Sequence, residues 1–142
     1  MAKGSIKGID QVVKELRAIG KDVEKEIDAV TYDIALQIEG DAKRIAPVNF
    51  GKLRQSIYTT KIKDSNYKIT ANESYAPYVE FGTGGLVNVP AGWEALASQF
   101  IGKGIKQINI HAQPFMYPAF TKGKKDYLDN LKKLLSKYNK KI

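Results

Sequence analysis

A catalytic or metal-binding site needs several donor groups brought to one place, and this 142-residue sequence supplies few of them. Cysteine is absent, which removes thiolate nucleophiles, thiolate zinc sites and a disulfide framework together. His111 is the one histidine. It stands in a strand-like stretch just before Gln113-Pro114, where a lone imidazole reads as structural rather than catalytic. Ser56, His111 and an aspartate could be drawn as a nucleophilic triad, but no spacing supports one. One imidazole and scattered carboxylates match no metal-site spacing either. Gly82-Thr83-Gly84-Gly85 invites a phosphate-loop reading. It lacks the Gly-Lys-Ser/Thr ending and a strand-to-helix frame, so it reads as a turn using glycine's backbone freedom. No catalytic residue, no cofactor and no metal is predicted.

Glu80 is the acid whose setting needs an explanation. It lies between Val79 and Phe81 in Tyr75-Ala76-Pro77-Tyr78-Val79-Glu80-Phe81, at a position expected to be partly buried. A carboxylate there requires backbone N–H donors or a basic partner. Donors are available in the Gly-rich turn that follows, so Glu80 reads as an anchor for that turn rather than as a catalytic acid.

Charge is unevenly placed. Lys and Arg number 23 against 15 Asp and Glu, a net charge of +8, and only Arg17, Arg44 and Arg54 are arginines. Residues 121–142 hold eight lysines and two aspartates, leaving the rest nearly neutral. A Lys-only segment attracts phosphate but carries no sequence information, and residues 137–142 read as a basic tail. With 43% hydrophobic and 27% charged residues, the composition is that of a globular chain. No apolar run approaches a membrane span. The start, Met1-Ala2-Lys3-Gly4-Ser5, lacks the apolar core of a signal peptide, so a reducing, cytoplasm-like compartment is expected.

The elements that must carry these residues follow from periodicity. Val12, Leu16, Ile19, Val23, Ile27, Val30, Ile34, Ile38, Ala42 and Ile45 recur at steps of three and four, an apolar stripe that barely drifts around a helix. Asp10 is a plausible N-cap. Gly20 is unfavourable inside a helix and predicts a break between a short helix over 10–19 and a long one over about 22–45, which Pro47 then ends. Residues 53–63 turn strand-like. With Asp64-Ser65-Asn66 as a turn and Tyr67, Ile69 and Ala71 alternating with polar residues, they predict a β-hairpin with one polar face. Residues 82–113 read as a long mobile loop, with a short helix around Trp93–Phe100 and a short strand at Ile108–His111. Pro114-Phe115-Met116-Tyr117-Pro118-Ala119-Phe120 leads into a last helix, with Tyr127, Leu128, Leu131, Leu134, Leu135 and Tyr138 expected on one face. This order predicts one α+β domain over residues 1–142, with a long N-terminal and a C-terminal helix packed on a small, mainly antiparallel sheet.

Three segments carry a resemblance. Ala46-Pro47-Val48-Asn49-Phe50-Gly51-Lys52-Leu53-Arg54-Gln55-Ser56-Ile57 resembles the AP-x-x-x-G-x-L-R-x-SI segment of a tailed-phage family named for gene product ten of the Hong Kong ninety-seven phage. Tyr75 to Thr83 resembles its second signature, YA-x-x-VE-F-GT, and Gln113 to Ala119 its third, QPF-x-x-PA. Asn49-Phe50 replaces the frequent Asp-Thr, and the 82–113 segment outside these signatures matches nothing particular. The resemblance implies a non-enzymatic virion protein at the top of a long non-contractile tail, a tail-completion or head–tail joining protein of a phage or prophage, assembled in the host cytoplasm. Its partners would be copies of itself in a ring, a hexamer being the candidate size, and neighbouring neck and tail proteins. Weak contact with genomic DNA passing through the channel would be the only use of nucleic acid, and no membrane would be involved. Pro47, Gly51, Leu53, Arg54, Ser56, Pro114 and Pro118 would then be structural motif residues. Tyr75, Tyr78, Glu80, Phe81, Gly82, Thr83, Trp93, Phe115 and Tyr117 are the interface or structural candidates, because aromatics commonly anchor interfaces; about half of the aromatic ones are expected in the core. The competing reading is a non-specific nucleic-acid-binding module using the Lys-rich C-terminal segment.

Overall fold

The computed structural model describes residues 9–48, 51–99 and 109–139, with the side chains of 9–13 and of Leu16 outside that description. The side chains of stripe positions Val12 and Leu16, the Asn49-Phe50 departure, Phe100, Ile108 and the end of the basic tail at 140–142 therefore lie outside the described residues, and Asp10, expected as an N-cap, is corrected to a position inside the first helix, which already includes Ile9.

Helix α1 (Ile9–Ile45) is continuous. Gly20 does not break it, which corrects the expected division. Glycine keeps its backbone N–H, and its cost of about 1 kcal/mol relative to alanine is small against the packing of the remaining turns. A Cβ at Gly20 or Gly40 would meet nothing within 4 Å. Gly20→Ala with Gly40→Ala should therefore stabilise the protein, by about 1–2 kcal/mol for the pair. The check is the denaturant midpoint, which should rise without a change in slope.

After α1 the chain forms α2 (Gly51–Gln55) and the strands β1 (Ile57–Lys63) and β2 (Asn66–Ala71). Residues 53–55 are thus helical, and the strand begins four residues later than the composition suggested. Leu53 explains the difference, since a single helical turn brings its side chain to complete burial in the core. The two strands pair antiparallel, with Ile57 opposite Ala71 and Thr59 opposite Ile69, and slip register between Lys61 and Lys63. One face lies on α1: Ile57 is buried, and the Thr59 hydroxyl donates to Glu39 at 2.9 Å. Asp28 of α1 holds the turn. Its Oδ1 accepts from the Ser65 N–H at 2.7 Å and the Tyr67 hydroxyl at 2.8 Å. These two donors, with Lys61 beside them, keep the Asp28 carboxyl below the ordinary aspartate range.

Helix α3 (Ala76–Phe81), a 3-10 turn at Gly84–Leu86 and α4 (Glu94–Ala97) precede the last helix, α5 (Met116–Asn139). Of the segment expected to be a loop, the described residues 82–99 thus carry two short helical pieces, and Ala97 is fully buried. Leu96 is 45% exposed, so it does not share that face. The strand expected at 108–111 is not seen in its described part: Asn109 to Ala112 is irregular and pairs with Thr83 instead of a sheet.

Helices α1 and α5 run antiparallel. Asp41 faces Lys122 at 3.4 Å, Gln37 donates to Asp126 at 2.6 Å, the Thr31 and Tyr127 hydroxyls meet at 2.7 Å, and Glu26 accepts from Lys137 at 2.8 Å. Arg44, with Lys122, holds the Asp41 carboxyl below its usual range. The helices close on each other at Gly123, where a Cβ would collide with the Ile38 side chain. The core gathers Ile34, Ile38, Ala42, Ala46, Leu53, Ile57, Ala76, Val79, Phe115 and Ala119.

The apolar stripe of α5 needs two corrections. Leu134 and Tyr138 are buried, but Leu128 is 49% and Leu135 55% exposed, because those two lie around the helix from the side α1 covers. Residues 137–139 are the last described turn of α5 rather than a free tail, with Tyr138 in the core and Lys137 paired to Glu26.

Candidate interaction site

The three signature segments meet at a common junction. In the first, the chain leaves α1 through Ala46-Pro47 and re-enters as α2. The Arg54 guanidinium closes this corner, donating to the Ala46 carbonyl from Nε at 3.1 Å and from Nη2 at 2.7 Å. The Ser56 hydroxyl donates to the Leu53 carbonyl at 2.7 Å, and its own carbonyl accepts from Asn72 N–H at 3.1 Å. Leu53 and Ile57 fill the space beneath. Pro47, half-buried, ends α1, and Gly51 is exposed at the start of α2 with nothing near its absent Cβ.

Glu80 joins the second segment to the third. It is 4% exposed, and its carboxylate accepts three backbone N–H groups at the start of α5: Phe115 at 2.9 Å and Met116 at 3.0 Å on Oε2, Tyr117 at 2.9 Å on Oε1. The next residue, Pro118, has no N–H, so the free donors of the first turn are all accounted for. A carboxylate at the positive end of a 24-residue helix also has favourable electrostatics. The expectation that Glu80 anchors the Gly-rich turn is thus corrected: its donors lie 35 to 37 residues further on. Glu80 is the penultimate residue of α3, whose position against the core aims it at α5, while Gly82 turns the chain away.

Gly82 makes that exit with φ 78° and ψ −177°, a region essentially restricted to glycine. A Cβ there would stand 2.7 Å from the Ile110 carbonyl and 2.8 Å from that of Leu86. Thr83 then clasps the returning chain, its N–H donating to Ile110 O and its hydroxyl accepting from Ile110 N–H, both at 2.9 Å. Gln113 N–H donates to Val79 O at 2.8 Å, immediately before half-buried Pro114.

None of the six aromatic candidates falls in the exposed class. Phe81 and Phe115 are buried; Tyr75, Tyr78, Trp93 and Tyr117 are half-buried. Trp93 is the hub of an edge-to-face cluster, with ring centroids 6.3 Å from Phe81, 5.5 Å from Tyr117 and 6.1 Å from Phe120. Beside it an apolar cleft of about 500 Å³ opens between β2, α3, α4 and the start of α5. Of the large apolar groups that are exposed, Leu96 lines this cleft, and the others lie elsewhere: Tyr32, Leu36 and Ile45 on α1, Val48, Tyr58 and Ile62 near and on the hairpin, Ile110 in the segment before α5, and Leu128 and Leu135 on α5. Those positions were not singled out by motif or aromatic content. Leu128 and Leu135 were expected on the apolar face of the last helix, and only the placement of α1 leaves them outside it.

The groups that invited chemistry are dispersed. His111 is exposed, and the Ser56 hydroxyl is committed to a backbone carbonyl. Among the described residues no group of three or more His, Asp or Glu could hold a metal ion, and no helix is long and apolar enough to cross a membrane.

The geometry defines a class: a helix–hairpin–helix body whose signature residues fasten the chain to itself. The model of the bacteriophage HK97-gp10-like tail-component family matches residues 10–82, and the chain belongs to this family of phage tail components. Its place is accordingly the virion, among other phage structural proteins. Neither a curated protein nor a solved structure matches the chain.

Proposed function

We propose that this protein completes the top of a long, non-contractile phage or prophage tail and joins it to the head, each copy filling one position of a ring rather than turning over a substrate. The observation that carries the reading is the use of the family signatures. Arg54, Glu80, Gly82 and Thr83 are spent on internal fastening, so the body is rigidly built while its outer faces remain available for contact. A ring closed by head-to-tail contacts needs two different surfaces on every copy. By the register of their contacts α5 ends level with about Asp22 of α1. Before that point Lys14, Glu15, Arg17, Ala18, Gly20 and Lys21 are exposed with no described element alongside, and they supply one such surface.

The test is removal of the gene from the phage or prophage that carries it, with complementation in trans. Filled heads and full-length tails that accumulate unjoined are expected by electron microscopy, with labelled protein at the junction of complemented particles. Joined particles with tails of altered length would move the protein to another station of the tail. Sedimentation of the purified chain as a monomer at every concentration would remove the ring of copies.

A further inference from the structure

Each of the two long helices keeps one outer face that no described element covers, and the two faces are complementary. On α1, Glu15, Asp22, Glu26 and Asp33 fall within about 40° of one another at 3.6 residues per turn, so they form one acidic row. Exposed Ala18, Ala29 and Leu36 run beside it, and Lys14, Lys21 and Lys25 lie only beyond that apolar row. Arg44, at the end of the acidic row, is taken by Asp41, and Glu26 by Lys137. Asp22 and Asp33 are exposed and make no ion pair among the described residues.

On α5, Leu128 and Leu135 stand about half exposed and half-buried Leu131 adjoins them, a strip two turns long on the side away from α1. Lys125 and Lys132 follow one flank of the strip and Lys124 lies within it. All three are exposed, without an ion pair among the described residues. Lys133 lies on the far side of the helix, Asp129 beyond the lysine flank, and Asp126 is turned to Gln37.

The faces share a repeat. On α1 an acid stands three residues before an apolar residue, Glu26 before Ala29 and Asp33 before Leu36. On α5 a base does, Lys125 before Leu128 and Lys132 before Leu135. Each pair recurs after seven residues, the spacing that keeps the contact positions of packed helices in line. Viewed from the N-terminus, the charge lies on the same flank of the apolar row in both helices. Antiparallel docking therefore sets acid against base, whereas parallel docking sets the α5 lysines against those of α1. Neither face reaches the other within one copy, because α1 and α5 already pack together through Ile38 and Gly123. A phosphate backbone would satisfy the lysines but leave the leucines and the acidic row without a partner.

We propose that the Leu128–Leu135 face of α5 docks antiparallel on the Ala29–Leu36 face of α1 in a second copy of this chain. The leucines supply the buried apolar area, and the flanking charges select the antiparallel orientation. Such a contact uses two different surfaces of each copy, as ring closure requires. Since α1 and α5 are antiparallel within a copy, it also keeps the α1 helices of neighbouring copies pointing the same way. The proposal deepens the ring reading and rests on it for the presence of further copies.

The experiment is sedimentation of the purified full chain and of two charge variants, Lys125→Glu/Lys132→Glu and Asp22→Lys/Asp33→Lys. Each variant alone carries like charges on both faces. Each is expected to self-associate at least tenfold more weakly than the parent while melting as the parent does, since all four side chains are exposed. Mixed in equal amounts, the two variants should recover association, because every contact then joins an acidic face to a basic one. Leu128→Ser/Leu135→Ser should weaken association as strongly with the charges intact. Variants that associate like the parent, or a mixture that stays apart, would overturn this contact while leaving the ring of copies in place. A parent that is monomeric at every concentration would instead remove the ring, and this contact with it.

Discussion

Replacing Glu80 by alanine is expected to cost about 3–5 kcal/mol of stability and to loosen the start of α5 before the rest of the molecule melts. The carboxylate accepts from Phe115, Met116 and Tyr117, and truncation leaves three backbone donors without an acceptor at a closed junction. Each buried unsatisfied donor costs about 1–3 kcal/mol, moderated where water can enter. Glu80→Gln sharpens the test because it keeps the shape. An amide has one carbonyl oxygen, so its NH₂ group must face at least one N–H donor, whichever way it is turned. Glutamine should therefore recover part of the loss and not all of it. Hydrogen exchange supplies the local readout. The amides of residues 115–117 should lose protection in both variants, and those of the hairpin should change only with global stability. Equal stability of parent and Glu80→Gln would show that the charge and the third hydrogen bond add nothing.

The contrast between what the residue pattern announces and what it hides follows from the range of each interaction. The α1 helix, the hairpin and the existence of α5 are set by local periodicity, and all three are present; along the α1 stripe Ile34, Ile38 and Ala42 are buried, while Ile45 at its end is exposed. The α+β class and the phage-tail resemblance carried by ordered signatures hold as well. The failures are of two kinds. Helices of five or six residues, α2 and α3, are too short to show a period; their signals were Gly51 before an apolar Leu53, and Pro77 near the start with Gly82 just past the end of α3. Long-range partners leave no local trace. Glu80 beside a glycine-rich turn suggested donors two to five residues away, and only the packing of α3 against the α5 terminus places them beyond residue 114. The division of the α5 leucines between core and solvent is equally a product of tertiary packing, since Leu134 and Leu135 differ only in which side α1 occupies.

Gly82→Ala is expected to cost at least about 3–4 kcal/mol, and Gly85→Ala, three residues on, less than about 1. The two glycines share a turn, so the difference isolates cause from composition. Gly82 has φ 78° and ψ −177°, where a side chain brings backbone strain of about 1–3 kcal/mol before any contact is counted. Its Cβ would also stand within 2.9 Å of three backbone atoms, from Ile110, Leu86 and Ala112. None of these is a flexible side-chain tip, so relief requires moving the 109–112 segment that Thr83 clasps. At Gly85 the nearest neighbour of a Cβ is the Asn109 side chain at 3.9 Å, and no positive φ is needed. Chemical denaturation of the two single variants gives the comparison. A further consequence separates strain from a general loss of packing. Moving residues 109–112 displaces the lead-in to Phe115, so Gly82→Ala and Glu80→Ala damage the same junction. Their double variant should lose clearly less stability than the two single losses added together. Strict additivity would mean that the turn and the helix cap are independent, and that the second and third signatures are not one fastener.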